Sequence, residues 1–289
     1  MNCFCPIGHS SLEGLPKDVR FPDFKIVRKI CEGKKTQVFE VIHRSSRATY
    51  ALKKTEQRES PNPKRQAELL LGCEHPNVLL MHRFFEDEEF CYFLQELGGE
   101  DLLAHLNAHK GNYREGEMHQ LFHQMVLGVR YLHQKGIAHR DIKLNNFIFV
   151  NGILKIIDFD FVKKIEESGR HTPCGAPACI APEIVLHKPY DKGVDHFSLG
   201  IALYMLAYKI KPFGTGKQRK IFRKMVAREP IVIPDEPAYS QEFKDLIRGL
   251  IEKNPEHRLG KEECCEEILR HPWMQKDHSQ PSESKQENE

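Results

Sequence analysis

The chain has 289 residues, of which 40% are hydrophobic and 29% are charged, and its formal net charge is +2. This length and composition allow a large domain with a substantial hydrophobic core. Basic residues are nearly matched by acidic ones, which argues against a dedicated nucleic-acid-binding protein.

The cysteines give no sign of a metal site or a disulfide framework. There are nine, and none forms a CxxC motif with a partner CxxC. Three pairs are close in sequence: Cys3/Cys5, Cys174/Cys179 and Cys264/Cys265. We therefore expect reduced thiols in a protein of the cytoplasm or nucleus. Residues 1–10 lack the apolar core of a secretory signal. Cys3 and Cys5 are candidates for acylation, whereas Asn2 excludes myristoylation.

The first third of the chain reads mostly as short strands. Residues 1–20 mix proline, glycine and charge, and we expect a loose N-terminal extension there. Strands are predicted at Lys25–Ile30, Thr36–His43 and Ala48–Lys54, because β-branched and aromatic residues alternate between turn-forming stretches. At the other end, the polar residues 276–289 predict a disordered tail.

Beyond Gly98 the hydrophobic period becomes helical. Apolar residues recur at steps of three and four and end near Gly136, a predicted helix end; they are Met118, Leu121, Phe122, Met125, Val126, Val129 and Leu132. The run Leu199–Ala207 is apolar on every side but too short to span a bilayer, so it predicts a fully buried helix. Strands followed by helices predict an α+β fold with two lobes, residues 21–97 and 98–275.

The most specific motif follows the amphipathic helix. His139–Asn146 reads HRDIKLNN and fits the pattern H-R-D-x-K-x-x-N. Other short motifs stand in a fixed order around it: Tyr50–Lys53, Asp158-Phe159, Ala181–Glu183 (APE), Asp195–Gly200, Arg258 in PEHRLG, and His271–Trp273. In this order the motifs resemble the protein kinase superfamily, over about Phe24 to Trp273.

The resemblance implies a two-lobed kinase fold, with a small β-rich N-lobe and a larger helical C-lobe, that transfers the γ-phosphate of ATP. Asp141 would orient the substrate hydroxyl and accept its proton. Lys143 would steady the γ-phosphate, and a lysine there is typical of serine/threonine kinases. Asn146 and Asp158 would be the oxygen ligands of Mg²⁺.

The resemblance also implies a nucleotide site. Lys53 would reach the α- and β-phosphates, and Ala51 would lie against the adenine, because residues two apart on a strand share a face. The same parity turns Lys54 away. The remaining nucleotide-binding residues implied by the family pattern are Ile30, Gly33, Val38, Glu96, Leu97 and Ile148, with Gln95–Leu97 as the hinge.

Four features depart from the family pattern. The glycine loop reads Cys31–Val38 (CEGKKTQV) and keeps only the middle glycine, Gly33, so the backbone approaches phosphates less freely. Gln66 occupies the helix position that normally carries a glutamate, and Glu68 is predicted to face the other way. Asp160 replaces the glycine of D-F-G. Ala176 stands where serine/threonine kinases usually carry a threonine.

Two functions therefore remain open: an active serine/threonine protein kinase, or a pseudokinase that binds nucleotide or acts as a scaffold. A small-molecule kinase fits less well, because the APE segment belongs to kinases of protein substrates. Thr172 matches an activation-loop threonine, which implies an upstream kinase and a phosphate that Arg140 could pair with. Asp195 and the pair Glu183–Arg258 are expected to be scaffolding. No nucleic-acid partner and no stable membrane insertion are expected.

Overall fold

The two-lobed α+β plan is confirmed by a computed structural model, which contains an N-terminal five-stranded sheet and a helical C-terminal part. Its residues divide into two compact units, Met1–Glu74 with Leu79–Gly98, and His75–Val78 with Gly99–Glu289. The structure describes residues 15–16, 18–33, 36–58, 63–164, 179–213, 231–261 and 265–278.

The N-terminal unit is an antiparallel sheet with a short helix, α1 (Pro63–Leu70). Its strands are β1 (Phe24–Glu32), β2 (Thr36–His43), β3 (Thr49–Glu56), β4 (Met81–Glu86) and β5 (Phe90–Gln95). They pair in the order β1-β2-β3-β5-β4. The three strands predicted from alternation are confirmed, and β1 extends past both of its predicted ends.

One face of this sheet carries a hydrophobic core. Val41, Leu52 and Leu94, one from each of the three central strands, are completely buried there. Leu15 and Val19 pack into the same core. The expectation of a loose N-terminal extension is therefore wrong for these two residues, because the apolar face of the sheet offers them a place out of water.

The C-terminal unit is mostly helical. Its helices are α2 (Leu102–Ala108), α3 (Glu115–Gln134), α4 (Pro182–Val185), α5 (Gly193–Tyr208), α6 (Gln241–Leu250), α7 (Glu266–Arg270) and α8 (Pro272–Gln275). Two small antiparallel ribbons accompany them: β6 (Ile137–Ala138) with β9 (Lys163–Lys164), and β7 (Phe147–Val150) with β8 (Ile153–Ile156).

Helix α5 runs through the interior of this unit. Every one of its residues except Met205 is buried, which confirms the prediction for Leu199–Ala207. Gly200 lets α6 approach closely, because a Cβ at this position would lie 2.7 Å from the Cβ of Leu250. Among the described residues, no helix combines the length and the apolar character needed to cross a membrane.

Candidate active site

The loop between β6 and β7 brings together three of the predicted catalytic and metal-binding residues. Asp141 is buried, and its Oδ2 accepts a hydrogen bond of 2.6 Å from Lys143 Nζ and one of 2.9 Å from Asn146 Nδ2. Asn146 Nδ2 also donates to the Asp141 carbonyl at 2.8 Å. Two donors therefore fix the carboxylate that resembles the catalytic base of the family.

Asp195 holds the backbone of this loop. It lies in the first turn of α5, fully buried, and accepts the amides of His139 at 2.8 Å and of Arg140 at 2.7 Å. Burial alone would raise the pKa of Asp195, but the hydrogen bond and charge of His133 and the His139 amide lower it below its usual value. The predicted scaffolding role of Asp195 is confirmed.

Asp158 follows β8 and is hydrogen-bonded into the same region through its neighbours. The Ile157 amide donates to the Asn146 carbonyl at 2.8 Å, and the Ile157 carbonyl lies 3.0 Å from His139 Nε2. Asp158 itself has a φ of 61°, a backbone conformation that aspartate tolerates better than most residues. The backbone segments of both predicted Mg²⁺ ligands are thus held beside the Asp141 loop.

The residues after Asp158 form a turn. Phe159 is buried with its ring edge-on to His139, at a centroid distance of 5.3 Å. The Val162 amide donates to the Phe159 carbonyl, so the exposed Asp160 lies inside the turn. Because position 160 is exposed, the fold does not need the family's glycine there, and water can solvate the Asp160 carboxylate.

Arg140 contacts two segments of this unit. Its Nε donates to the Phe161 carbonyl at 2.6 Å, and its Nη1 donates to the hydroxyl of Tyr190 at 2.9 Å. The sequence did not predict Tyr190 as a partner, because the two residues lie 50 positions apart. Thr172 and Ala176, about which the sequence made predictions, lie outside the described residues.

In the N-terminal unit, the face assignment of β3 is confirmed. Lys53 is buried, opposite Val38 on β2 and Phe93 on β5, and Ala51 is buried two positions before it. Lys54 lies on the other face, where its ammonium stands 3.6 Å from the centre of the Phe90 ring. Lys54 is therefore part of an aromatic cluster.

The other predicted nucleotide-binding residues are distributed as follows. Gly33 is exposed, and its amide donates to the Thr36 carbonyl at 2.8 Å, which closes the turn between β1 and β2. Ile30 is also exposed on β1. Glu96 and Leu97 follow β5, and the Glu96 side chain accepts the Leu80 amide at 2.7 Å. In the C-terminal unit, Ile148 is half-buried on β7.

Helix α1 carries the predicted replacement of the family's glutamate. Gln66 is buried on this helix, whereas Glu68 is exposed. The prediction that these two side chains face different ways is confirmed, because a two-residue step turns about 200° around a helix. The buried face of α1 thus presents an amide where the family pattern has a carboxylate.

A second scaffolding prediction is confirmed deep in the C-terminal unit. Arg258 Nη1 and Nη2 donate to the two carboxylate oxygens of Glu183 at 2.6 and 2.9 Å. Both residues are almost completely buried, and Arg258 Nη1 also donates to the Gly193 carbonyl. This bidentate geometry ties the APE segment to the start of α5.

Sequence reasoning missed His133, which supports the loop indirectly. It lies in the last turn of α3, and its Nε2 is 2.8 Å from Asp195 Oδ2. His133 directly follows the buried Leu132 on the apolar face of α3. A polar residue on that predicted apolar face was a signal that could have pointed to a buried partner.

The fold and this loop together have the arrangement of a protein kinase domain. A family model described as the protein kinase domain matches residues 24–274. The chain belongs to the protein kinase family.

Its relatives include kinases from several eukaryotes. A probable myosin light chain kinase of Dictyostelium discoideum is 34% identical over 74% of this chain and 55% of its own length. Serine/threonine-protein kinase AtPK2/AtPK19 of Arabidopsis thaliana is 32% identical over 89% of this chain and 55% of its own length. Serine/threonine-protein kinase sgk-1 of Caenorhabditis elegans is 31% identical over 87% of this chain and 56% of its own length. The chain thus spans about half the length of these relatives.

Proposed function

We propose that this protein transfers the γ-phosphate of Mg-ATP to serine or threonine hydroxyls of protein substrates. The observation that carries the proposal is the fixed carboxylate of Asp141, held at 2.6 Å by Lys143 and at 2.9 Å by Asn146. Phosphoryl transfer depends mainly on positioning and charge stabilisation, and this loop supplies both. The names of the relatives above support serine and threonine as acceptors.

Each residue of the loop has a distinct role in this proposal. Asp141 orients the substrate hydroxyl and accepts its proton. Lys143, whose ammonium already lies against Asp141, provides positive charge for the transferring phosphate. Asp195 positions the loop through the His139 and Arg140 amides. A geometry fixed before substrate arrives needs no reorganisation during the reaction.

The donor set fits Mg²⁺ and ATP. Asn146 commits its amide nitrogen to Asp141, so its oxygen is the end left to bind a cation, and Asp158 adds a carboxylate. Mg²⁺ prefers such oxygen ligands and takes only one or two from the protein. When bound, the ion would neutralise charge on the phosphates. Lys53 would pair with the α- and β-phosphates.

A radiolabelled-ATP assay on generic protein substrates tests the proposal, with wild type compared against Asp141→Asn. Loss of the base should lower the rate by about a hundredfold or more, while unfolding temperatures of the two proteins stay similar. If the folded wild type transfers no more phosphate than Asp141→Asn, the protein is not an enzyme of this kind.

The second candidate is a pseudokinase that binds nucleotide or acts as a scaffold. It is favoured by Gln66, buried on α1 where the family pattern has a glutamate, because an amide brings no charge to a lysine partner. The loss of two glycines from the glycine loop points the same way. Nucleotide-dependent thermal stabilisation without phosphate transfer would select this candidate.

Regulation and location belong to the same proposal. We expect phosphate on Thr172 from an upstream kinase, and mass spectrometry of the active protein should find it there. A phosphate carries nearly two negative charges at neutral pH, and Arg140 is the cation nearest to Asp141 in sequence.

The reduced state expected of the cysteines supports a location in the cytoplasm or nucleus.

A further inference from the structure

Three buried side chains from separate elements of the C-terminal unit lie close together. One of them bonds Asp195, the residue that holds the loop His139–Asn146. The three are His133 in the last turn of α3, His196 in the first turn of α5, and Cys265 directly before α7. Cys265 Sγ lies 3.2 Å from His196 Nε2 and 3.9 Å from His133 Nδ1. The three ligand atoms all lie within 4.8 Å of one another.

The hydrogen bond of His133 decides which of its nitrogens faces the cluster. Its Nε2 lies 2.8 Å from a carboxylate oxygen of Asp195. Because this carboxylate can only accept, Nε2 carries a proton, and Nδ1 is the nitrogen that faces Cys265 Sγ, at 3.9 Å. A carboxylate behind an imidazole is the arrangement that orients histidine ligands in metal sites.

His196 is fully buried, and burial moves its pKa well below the ordinary value. Its Nε2 is the nitrogen that faces Cys265 Sγ, at 3.2 Å. Its Nδ1 has no hydrogen-bond partner within the described part of the chain, which is a cost to the folded state. An imidazole kept in the buried core at such a cost fits a use of Nε2 that an apolar side chain could not supply.

The backbone of Cys265 provides a further sign. Its φ is 79°, in the left-handed region that non-glycine residues seldom adopt. Left-handed backbone at a non-glycine residue persists only where the surrounding structure enforces it. Here it accompanies an arrangement that points the sulfur at two imidazoles.

Two imidazole nitrogens and one thiolate are a donor set suited to Zn²⁺ rather than to Mg²⁺, which prefers oxygen. Tetrahedral zinc, with bonds of about 2.0–2.1 Å to nitrogen and 2.3 Å to sulfur, separates its ligand atoms by about 3.4–3.6 Å. The two distances to Cys265 Sγ, 3.2 and 3.9 Å, bracket this separation. The charge also fits, because Zn²⁺, the Cys265 thiolate and the Asp195 carboxylate sum to zero in a buried region.

We propose that His133, His196 and Cys265 form a zinc site that joins α3, α5 and the start of α7. Zn²⁺ bonds to Sγ as the Cys265 thiol loses its proton to solvent, and a water molecule completes the tetrahedron. Because His133 also bonds Asp195, the metal would steady the residue that holds the His139 and Arg140 amides. The site is separate from the Mg²⁺ ligands Asn146 and Asp158.

The test uses the full chain, free of nucleotide, stripped with a chelator and then given one equivalent of ZnCl₂. Retained zinc is measured with a chromogenic chelator, proton release is measured in weak buffer, and the unfolding temperature is recorded with and without zinc. Co²⁺ loading adds a spectroscopic readout, since a thiolate ligand produces a charge-transfer band. Cys265→Ala and His196→Phe remove ligands, and Cys91→Ala removes a buried thiol of β5 as the matched control.

Wild type and Cys91→Ala should each retain about one zinc per chain, release about one proton, and unfold at a higher temperature with the metal. Both ligand variants should lose zinc retention and the cobalt–thiolate band. If a ligand variant fails to fold, the wild-type cobalt spectrum still decides. A wild type without that band, or zinc retained equally by Cys265→Ala, would overturn the proposal.

Discussion

The C-terminal unit carries every charged side chain expected of a kinase catalytic loop, whereas the N-terminal unit departs from the family at the glycine loop and at Gln66. For the glycine loop the difference follows burial, whereas Gln66 is a buried departure. Glu183 and Arg258 are buried and pair within the C-terminal unit, so the loss of either would leave the other uncompensated. Asp141 and Asp195 are buried in hydrogen-bonded contacts of the same unit. Cys31, which replaces a glycine of the family pattern, is exposed, and a change at such a position costs the fold little.

The intact motifs of the C-terminal unit therefore have two explanations. They support phosphoryl transfer, and they also stabilise the fold. A scaffold protein would lose the exposed glycines of the N-terminal unit before it lost a buried ion pair. The measurements that distinguish the two functions must therefore separate stability from nucleotide binding and from catalysis.

The largest effect is expected from Arg258→Ala. It leaves the Glu183 carboxylate buried without its bidentate partner, which should lower the free energy of unfolding by about 3–5 kcal/mol. Denaturant titration gives the value. The matched control is Arg248→Ala. The pair of Arg248 with Asp245 is half-exposed, so this substitution should lower the free energy of unfolding by less than about 1 kcal/mol. Similar losses in both variants would show that the buried pair has no special role.

A second comparison sets the two neighbouring lysines of β3 against each other. Mg-ATP should raise the unfolding temperature of wild type by mass action. Lys53→Met should lose most of this rise, since Lys53 is the residue expected to pair with the phosphates. Lys54→Met should keep the rise, although losing the contact with Phe90 should lower basal stability by about 0.5–2 kcal/mol. Equal nucleotide effects in both variants would mean that the phosphates bind elsewhere.

Gln66→Glu tests whether the N-terminal unit limits the Mg-ATP affinity or the rate of the protein. A carboxylate in place of the amide makes a charge-assisted bond with a lysine possible, and such bonds are roughly twice as strong as neutral ones. We expect a severalfold gain in Mg-ATP affinity or rate, measured by calorimetry and by radiolabel assay. Glu68→Gln, on the exposed side of α1, should change neither. A gain confined to binding would favour the pseudokinase.

The smallest effect concerns Asp160, a departure from the family within the C-terminal unit. A second carboxylate close to Asp158 should disfavour the metal-ready arrangement until Mg²⁺ offsets the repulsion. Asp160→Gly should therefore lower the Mg²⁺ concentration needed for half-maximal activity. Asp160 is exposed, which limits the shift. Superimposable Mg²⁺ curves for wild type and variant would leave Asp160 only a role in the turn.

Much of the fold could be predicted from local pattern. Alternation placed Lys53 and Lys54 on opposite faces of β3, and a period near 3.6 located α3 and its buried side. These predictions succeeded because the direction of a side chain along a strand or helix is set by backbone geometry over a few residues. The burial of Leu15 and Val19 was missed, since nothing in a short stretch mixed with charge shows which surface will receive it.

For the candidate site, the sequence by itself determined which residues carry the chemistry, because the loop His139–Asn146 holds its acid, cation and amide within one short segment. Only the tertiary structure decided what supports that loop. His133 reaches Asp195 across 62 positions, and Cys265 meets His196 and His133 across 69 and 132. Contacts between such distant segments depend on how α3, α5 and α7 pack together, and no local periodicity in the chain records that packing.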